Sequence, residues 1–248
     1  MTNVIIVGAN GKMGKIIRKL ASDRDDINIT AGVDKNSEKC EINIYENISD
    51  VLEDFDVVLD FSRPTSLPSL LDFCILKNKP LILCTTGYTE EELHDIQEAS
   101  EKIPLFRSAN MSIGVNVVNN VLKNISKFLY KEFDIEIIEK HHNQKVDAPS
   151  GTAILLADTI KKAVEEDIKY TYGREGSSKR SKNEIGIHAV RGGNIVGEHT
   201  VIFAGNSEII EVKHSALSRD VFGVGALLAC KFMNGKEKGF YSMDDLIK

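Results

Sequence analysis

Short runs of apolar, mostly β-branched residues alternate with helical patterns through the first 110 residues. Strands are predicted at NVIIVG, INITAGVD, DVVLDFS, PLILCTTG and PLFRSAN, with helices between most of them. The first helix carries one apolar stripe at helical spacing, formed by Met13, Ile16, Ile17, Leu20 and Ala21. Strands that alternate with helices in this way predict a parallel sheet covered on both faces.

The pattern changes after residue 110. A long helix is predicted over 112–129, followed by the alternating strand FDIEIIEKHH and a second helix over 150–164. Three alternating runs come next, EIGIHAVR, IVGEHTVIFAG and EIIEVKHSA, separated by Gly/Asn turns, which predict an antiparallel meander. The apolar side of the long helix is predicted to contain Val117, Val121, Leu122, Ile125, Phe128 and Leu129.

These two patterns predict an α/β protein with two domains. Residues 1–110 plus 218–248 form the first, and residues 111–217 form an α+β domain built on a mostly antiparallel open sheet. The final helix, predicted over 220–233, carries Gly223 and Gly225, whose small size permits close packing against another element. The charged stretch GREGSSKRSKNE is typical of a solvated loop.

Composition excludes several classes of function. A net charge of -6 argues against a phosphate-backbone partner, which usually requires a basic face. The opening MTNVIIVGAN has neither a basic leader nor a long apolar run, so we expect a cytoplasmic protein without a membrane segment. The cysteines lack metal-ligand or C-x-x-C spacing, which favours reduced thiols and no metal site; they are Cys40, Cys74, Cys84 and Cys230.

The segment VIIVGANGKMG places three glycines between the first strand and the first helix, at Gly8, Gly11 and Gly14. Glycines in this position let a backbone approach a pyrophosphate, whose charge the helix N-terminus stabilises. Asp34 follows Gly14 by twenty residues, at the end of the second predicted strand, where it can bind an adenosine ribose. The sequence therefore predicts a Rossmann-type dinucleotide site, although the spacing is G-x-x-G-x-x-G and an ordinary tight turn is the alternative.

Coenzyme preference stays open between NADH and NADPH. The carboxylate of Asp34 repels a 2'-phosphate, whereas the adjacent Lys35 could bind one. Two further strand ends, at 84–87 and 108–111, lie at the carboxyl edge of the predicted sheet, where open α/β folds bind ligands.

Candidate catalytic chemistry lies in the stretch HHNQKVDAPSGTA. The strand before it ends on His141 and His142, which alternation turns to opposite sides. Imidazole transfers protons near neutral pH, so a histidine here is a candidate acid or base. The alternative is that both histidines are solvated strand-end side chains.

The same stretch predicts an anion pocket. Ser150 is a predicted N-cap, after which Gly151 and Thr152 open a helix whose first N–H groups are suited to an anion. The ammonium of Lys145 is near in sequence, and together these groups suit a carboxylate. The alternative is that Asp147 and Ser150 only cap the helix and bind no ligand.

The runs IVGANGKMG, DFSRPTS, TTGY, EIIEKHHNQKVDAPSGTA, AVRGGNIVGEHTV and KHSALSR, in this order along the chain, resemble the bacterial dihydrodipicolinate reductases of the diaminopimelate route to lysine. The resemblance covers essentially the whole chain. It implies NAD(P)H-dependent reduction of a small cyclic dicarboxylate, 4-hydroxy-tetrahydrodipicolinate, with loss of water. It also implies a homotetramer assembled through the sheets of the second domain, and closure of the domains around substrate.

The resemblance assigns roles residue by residue. His141 matches the general acid/base and Lys145 a second proton donor. Substrate-binding positions correspond to His142, Ser150, Gly151 and Thr152. Cofactor-binding positions correspond to Gly8, Ala9, Asn10, Gly11, Lys12, Met13, Asp34, Lys35, Cys84, Thr85, Thr86, Ser108, Ala109, Asn110 and Met111.

One position departs from the family pattern, because Cys84 stands where Gly is frequent.

Two other functions remain open: a different oxidoreductase, such as an amino-acid or aldehyde dehydrogenase that uses a cysteine or lysine, and a non-enzymatic dinucleotide sensor. A dinucleotide sensor does not require the cluster of His141, Lys145 and the PSGT turn, because it performs no reaction on a substrate. His188, His199 and His214 lie on the predicted meander and are expected to be structural or rim residues.

Overall fold

The computed structural model describes residues 1–36, 38 and 40–248. Its strands are β1 (Thr2–Val7), β2 (Ile27–Val33), β3 (Asn43–Tyr45), β4 (Val57–Asp60), β5 (Leu81–Leu83), β6 (Pro104–Arg107), β7 (Asp134–His141), β8 (Lys169–Tyr172), β9 (Glu184–Arg191), β10 (Gly197–Ala204), β11 (Ile209–Ala216) and β12 (Gly239–Tyr241). Its α-helices are α1 (Lys12–Ser22), α2 (Leu67–Lys77), α3 (Glu90–Ser100), α4 (Ile113–Leu129), α5 (Gly151–Val164), α6 (Asp220–Met233) and α7 (Met243–Leu246).

Two compact units divide the chain. The first contains residues 1–113 and 220–248, and the second contains residues 114–219. The boundaries expected from the sequence fall three residues earlier at the first junction and two earlier at the second. The roles expected for the two domains remain predictions.

The first unit is built on a parallel sheet. Its strand order in the described part of the chain is β12-β6-β5-β4-β1-β2-β3, and every pairing is parallel. In β1, Val4 and Ile6 pack with residues of α1 and α6, whereas Ile5 and Val7 pack with residues of α2 and α3. Helices therefore cover both faces, which confirms the predicted α/β class and its Rossmann-type sheet.

The close approach predicted for the last helix is present in this unit. A Cβ added at Gly225 would lie 1.8 Å from the carbonyl oxygen of Met111, and one added at Gly223 would lie 2.7 Å from Cδ1 of Leu20. Larger side chains at either position would separate α6 from the elements against which it packs.

The second unit contains a mixed sheet of strand order β11-β10-β7-β9-β8. β10 is antiparallel to both β7 and β11, whereas β9 is parallel to both β7 and β8. The predicted meander is correct for the β10–β11 hairpin and wrong for the connection from β9 to β10. β7 lies between those two strands, so residues 192–196 cross the end of β7 instead of forming a hairpin turn.

The helix α4 agrees with the prediction in its bounds, and three of the six side chains predicted for its apolar side pack in the core. Val117, Val121 and Phe128 are exposed. Asn119 is buried instead, where its Oδ1 accepts a hydrogen bond from Oγ1 of Thr159 on α5 over 2.6 Å. Packing against α5 and the sheet therefore determines which face of α4 is buried. The positions of apolar residues along the helix do not determine it alone.

Candidate active site

The glycines of the first loop are required by close backbone contacts. Gly8 has a φ of 82°, and a Cβ there would lie 2.6 Å from the carbonyl oxygen of Phe61, which follows β4. A Cβ at Gly14 would lie 2.3 Å from the carbonyl oxygen of Gly8. Gly11 is the N-cap of α1 and provides no side-chain cap, so the first N–H groups of that helix remain suited to an anion.

A second loop is joined to the glycine loop through Asp34, immediately after β2. Its Oδ2 accepts a hydrogen bond from the backbone N–H of Asn10 over 2.8 Å, and its Oδ1 accepts one from the backbone N–H of Asn36 over 2.9 Å. The side-chain amide of Asn10 donates to the carbonyl oxygens of Asn36 and Glu38. Asn10, the unusual residue between the glycines, therefore connects the two loops.

The remaining positions predicted to bind cofactor follow β5 and β6, which are neighbours in the parallel sheet. Because parallel strands end at one edge, these positions share the edge where Gly8 and Asp34 lie. The predicted cofactor positions are exposed at Gly11, Lys12, Lys35, Thr86 and Ala109, partly buried at Gly8, Met13, Asp34, Cys84, Ser108 and Asn110, and buried at Ala9, Asn10, Thr85 and Met111. The Met111 side chain packs in the core, so its backbone is the part left to contact a ligand.

Sequence reasoning did not single out Asp60, which ends β4 at the same edge. Its carboxylate is fully buried and accepts hydrogen bonds from the backbone N–H and the hydroxyl of Ser62. Burial raises the pKa of this carboxyl in spite of those hydrogen bonds. Asp60 therefore holds the turn that follows β4, against which Gly8 packs.

In the second unit, the inward face of β7 passes from apolar to polar residues toward its end. Ile135 and Ile137 belong to the core, and the next side chains on that face are Glu139 and His141. Glu139 is 0% exposed and His141 is 9% exposed, whereas His142 beyond the strand is partly buried. The predicted acid/base therefore lies on the core side of the sheet.

The Glu139 carboxylate is in hydrogen-bond contact with four nitrogen groups, which belong to three residues at the end of this strand. Its Oε2 lies 2.6 Å from Nδ1 of His141 and 2.7 Å from Nη1 of Arg191, which follows from the pairing of β7 with β9. Its Oε1 accepts hydrogen bonds from Nη2 of Arg191 over 2.7 Å and from the backbone N–H of Ser150 over 3.0 Å. Burial alone would raise the pKa of the Glu139 carboxyl, but these hydrogen bonds outweigh it and lower the pKa below its ordinary value.

Ser150 is the N-cap of α5, as predicted, because its Oγ accepts a hydrogen bond from the backbone N–H of Ala153 over 3.2 Å. The same Oγ lies 2.9 Å from Nε2 of His199, whose ring contacts the ring of His141 edge to face at a centroid distance of 5.1 Å. Burial, together with the nearby charge of His141, lowers the pKa of His199 to about 4. His199, expected to be structural, is thus a buried and neutral neighbour of the predicted acid/base.

The loop between β7 and α5 places the other predicted residues near this cluster. Nζ of Lys145 lies 2.7 Å from Oδ1 of Asp147, and this hydrogen bond lowers the pKa of the Asp147 carboxyl. Nη2 of Arg191 donates to the carbonyl oxygen of Asp147 over 2.6 Å, which links the loop to Glu139. At the start of α5, Gly151 is exposed and Thr152 is partly buried.

Sequence reasoning found His141, Lys145 and the α5 N-terminus but missed Glu139 and Arg191. The signal was present in the alternation of FDIEIIEKHH, where Glu139 follows two inward-facing isoleucines. Over residues 1–36, 38 and 40–248, no cluster of His, Cys, Asp and Glu has the arrangement of a metal site. Within those same ranges, no helix combines the length and apolarity needed to cross a bilayer.

Comparisons with known proteins agree with this architecture. Family models described as dihydrodipicolinate reductase match residues 2–111 (N-terminus) and 114–247 (C-terminus). A 4-hydroxy-tetrahydrodipicolinate reductase of Clostridium tetani is 61% identical over 248 residues, covering 100% of this chain and 97% of the relative. One of Clostridium novyi is 58% identical over 249 residues, covering 100% and 99%.

Among solved structures, the dipicolinate-bound dihydrodipicolinate reductase of Paenisporosarcina sp. TG-14 superimposes with a TM-score of 0.83 at 23% identity, covering 98% of this chain and 97% of that one. The first unit thus has the fold of nicotinamide dinucleotide-binding oxidoreductases. More narrowly, the chain belongs to the dihydrodipicolinate reductase family. The family resemblance expected from the sequence is confirmed.

Proposed function

We propose that this protein reduces 4-hydroxy-tetrahydrodipicolinate to tetrahydrodipicolinate with loss of water, using NADH or NADPH, in the diaminopimelate pathway of lysine biosynthesis. The observation that carries the proposal is the match to the family over the whole chain, at 61% identity to one relative of that name. The buried Glu139–His141 pair beside the N-terminus of α5 supports it. We further propose a cytoplasmic homotetramer.

The first unit is proposed to bind the dinucleotide. The contacts that exclude a Cβ at Gly8 and Gly14, and the uncapped start of α1, suit a pyrophosphate. Asp34, which follows β2, is proposed to accept hydrogen bonds from a ribose, and the segments 84–86 and 108–111 are proposed to complete the site. When bound, the dihydronicotinamide supplies the hydride.

The second unit is proposed to bind and protonate the substrate. The backbone N–H groups of Gly151 and Thr152, with the ammonium of Lys145 and the ring of His142, suit a substrate carboxylate. His141 supplies the proton that hydride addition and loss of water require, since net reduction consumes one hydride and one proton and releases one water. Lys145 is proposed as a second proton donor.

The test is consumption of NADH, followed by its absorbance, when the purified protein is mixed with the freshly formed condensation product of pyruvate and aspartate semialdehyde. We expect His141→Gln to lower kcat by about 10²- to 10⁴-fold with little change in the Kd of NADH. The matched control is His94→Gln, because His94 is an exposed residue of α3. Binding of NADH without its oxidation would instead identify a dinucleotide sensor.

A further inference from the structure

We infer that Glu139, which is buried, and Arg191, which is partly exposed, form a positioning pair, which holds the proton of neutral His141 on Nδ1 and makes Nε2 the atom that exchanges the catalytic proton. The inference rests on the proposed function and deepens it. It assigns Glu139 and Arg191 a role that acts through His141, to which Glu139 is hydrogen-bonded directly and Arg191 is linked by Glu139.

The hydrogen-bond inventory of Glu139 supports an ionised carboxylate. All four hydrogen bonds at its two oxygens come from potential donors: two guanidinium N–H groups, one backbone N–H and the ring nitrogen Nδ1 of His141. An ionised carboxylate accepts hydrogen bonds and cannot donate one. The Nδ1 atom of His141 must therefore carry a proton, which leaves the lone pair of the neutral ring on Nε2.

The surroundings of Nε2 are consistent with its use in proton transfer. A Cβ built at Gly197, at the start of β10, would lie 3.1 Å from this atom, so the glycine leaves space beside it. The neighbouring His199 is not a competing base, because its Nε2 is already within hydrogen-bond distance of Ser150 and burial keeps its ring neutral.

The charged and titratable groups near His141 lie on three strands and in one loop. Glu139 lies on β7, Arg191 on β9 and His199 on β10, while the ion pair of Lys145 and Asp147 lies in the following loop. The carboxylate stabilises the protonated ring, and the guanidinium moderates this effect by sharing the same two oxygens.

Removing each partner should therefore have opposite effects on proton affinity. Glu139→Gln removes the negative charge, so the ionisation of His141 in the pH profile of kcat/KM should move to lower pH. Arg191→Met removes the moderating positive charge, so the same ionisation should move to higher pH. A purely structural role would lower stability or turnover in both variants without opposite movements of the profile.

The chain offers a matched control on the other face of β7. Glu136 accepts hydrogen bonds from Arg174 over 2.7 Å and Arg180 over 3.0 Å, and its Oε2 lies 2.8 Å from Nε2 of His188. Glu136→Gln thus breaks a similar Glu–His–Arg set at a position away from His141. We expect kcat within about two-fold of wild type and an unmoved pH profile, with oligomeric state checked by light scattering.

The experiment combines these profiles with nitrogen-15 NMR of the histidine rings in the wild-type protein, with His141→Gln for assignment. We expect Glu139→Gln to lower kcat by about 10²-fold, with KM for substrate and Kd for NADH changed far less. Neutral His141 should show its proton on Nδ1. A proton on Nε2, or profiles that move in the same direction in both variants, would overturn the inference.

The spectrum of the wild-type protein decides the tautomer even if Glu139→Gln does not fold. Absence of NADH oxidation by the wild-type protein would refute the proposed function, while the NMR measurement would still test the arrangement of Glu139 and His141. The two proposals can therefore fail separately.

Discussion

The carboxylate of Asp34 accepts a hydrogen bond from the backbone N–H of Asn10, with 2.8 Å between nitrogen and Oδ2. Its other oxygen accepts from the backbone N–H of Asn36. One side chain after β2 thus holds the glycine loop and its own loop in place. Asp34 therefore stabilises the two loops of the predicted dinucleotide site, in addition to being a predicted cofactor-binding residue.

Replacing Asp34 should therefore weaken cofactor binding through two effects. We expect Asp34→Ala to raise the Kd of NADH by about ten-fold or more, because a charge-assisted hydrogen bond contributes about 1.5–3 kcal/mol. Isothermal titration calorimetry measures the Kd of NADH for the variant and for the wild-type protein. The control is Asp56→Ala, since Asp56 likewise accepts a hydrogen bond from a backbone N–H, that of Asn3, before the start of β4. Equal losses in both variants would contradict this explanation.

Buried, neutral His199 should make stability depend on pH. Its pKa is lowered to about 4 in the folded protein, so between this value and about 6.5 the unfolded chain binds more protons, and acidification favours unfolding. We expect the free energy of unfolding to fall by up to about 3 kcal/mol across this range from His199 alone. Urea denaturation of wild type and His199→Asn at pH 6.5 and pH 4.5 measures the difference, and a steeper loss in the variant would refute the prediction.

The two glycines of α6 should differ in their tolerance of a methyl group. Gly225→Ala directs its Cβ at the backbone oxygen of Met111, which cannot move away, whereas Gly223→Ala meets the end of the Leu20 side chain. We expect Gly225→Ala to destabilise the protein by about 3 kcal/mol or more and Gly223→Ala by about 1 kcal/mol. Thermal denaturation of both variants gives the comparison, and a reversed order would show that α6 packs differently.

Cys84 should be an unreactive thiol despite its place at the carboxyl edge of the sheet. Burial, with Asp60 nearby, raises the pKa of the Cys84 thiol well above its ordinary value, which suppresses the nucleophilic thiolate. Cys40 and Cys84 are both partly exposed, so the raised pKa of Cys84 is the reason for the expected difference: under native conditions iodoacetamide should modify Cys40 first, with NADH-dependent activity retained. Peptide mass spectrometry locates the adduct. Rapid alkylation of Cys84 with loss of activity would favour the alternative of a cysteine-dependent dehydrogenase.

Local signals were sufficient for much of the architecture. Ser150 is an N-cap in the structure, as predicted, because its hydroxyl accepts a hydrogen bond from the backbone N–H only three residues ahead, so both partners lie within the same short segment. The glycine loop was recognisable for the same reason, since its contacts follow from a strand, a turn and a helix that are consecutive in the chain.

The partners of His141 were decided by tertiary structure. Arg191 is 52 residues from Glu139, and His199 is 49 residues from Ser150, and only strand order and register bring them together. The sequence suggested that β9 and β10 were neighbours, because a short Gly/Asn turn separates them, but β7 lies between them in the sheet. Periodicity and turn chemistry act over a few residues, so they determine helices, strands and caps, whereas pairing between distant strands depends on the packing of the whole unit.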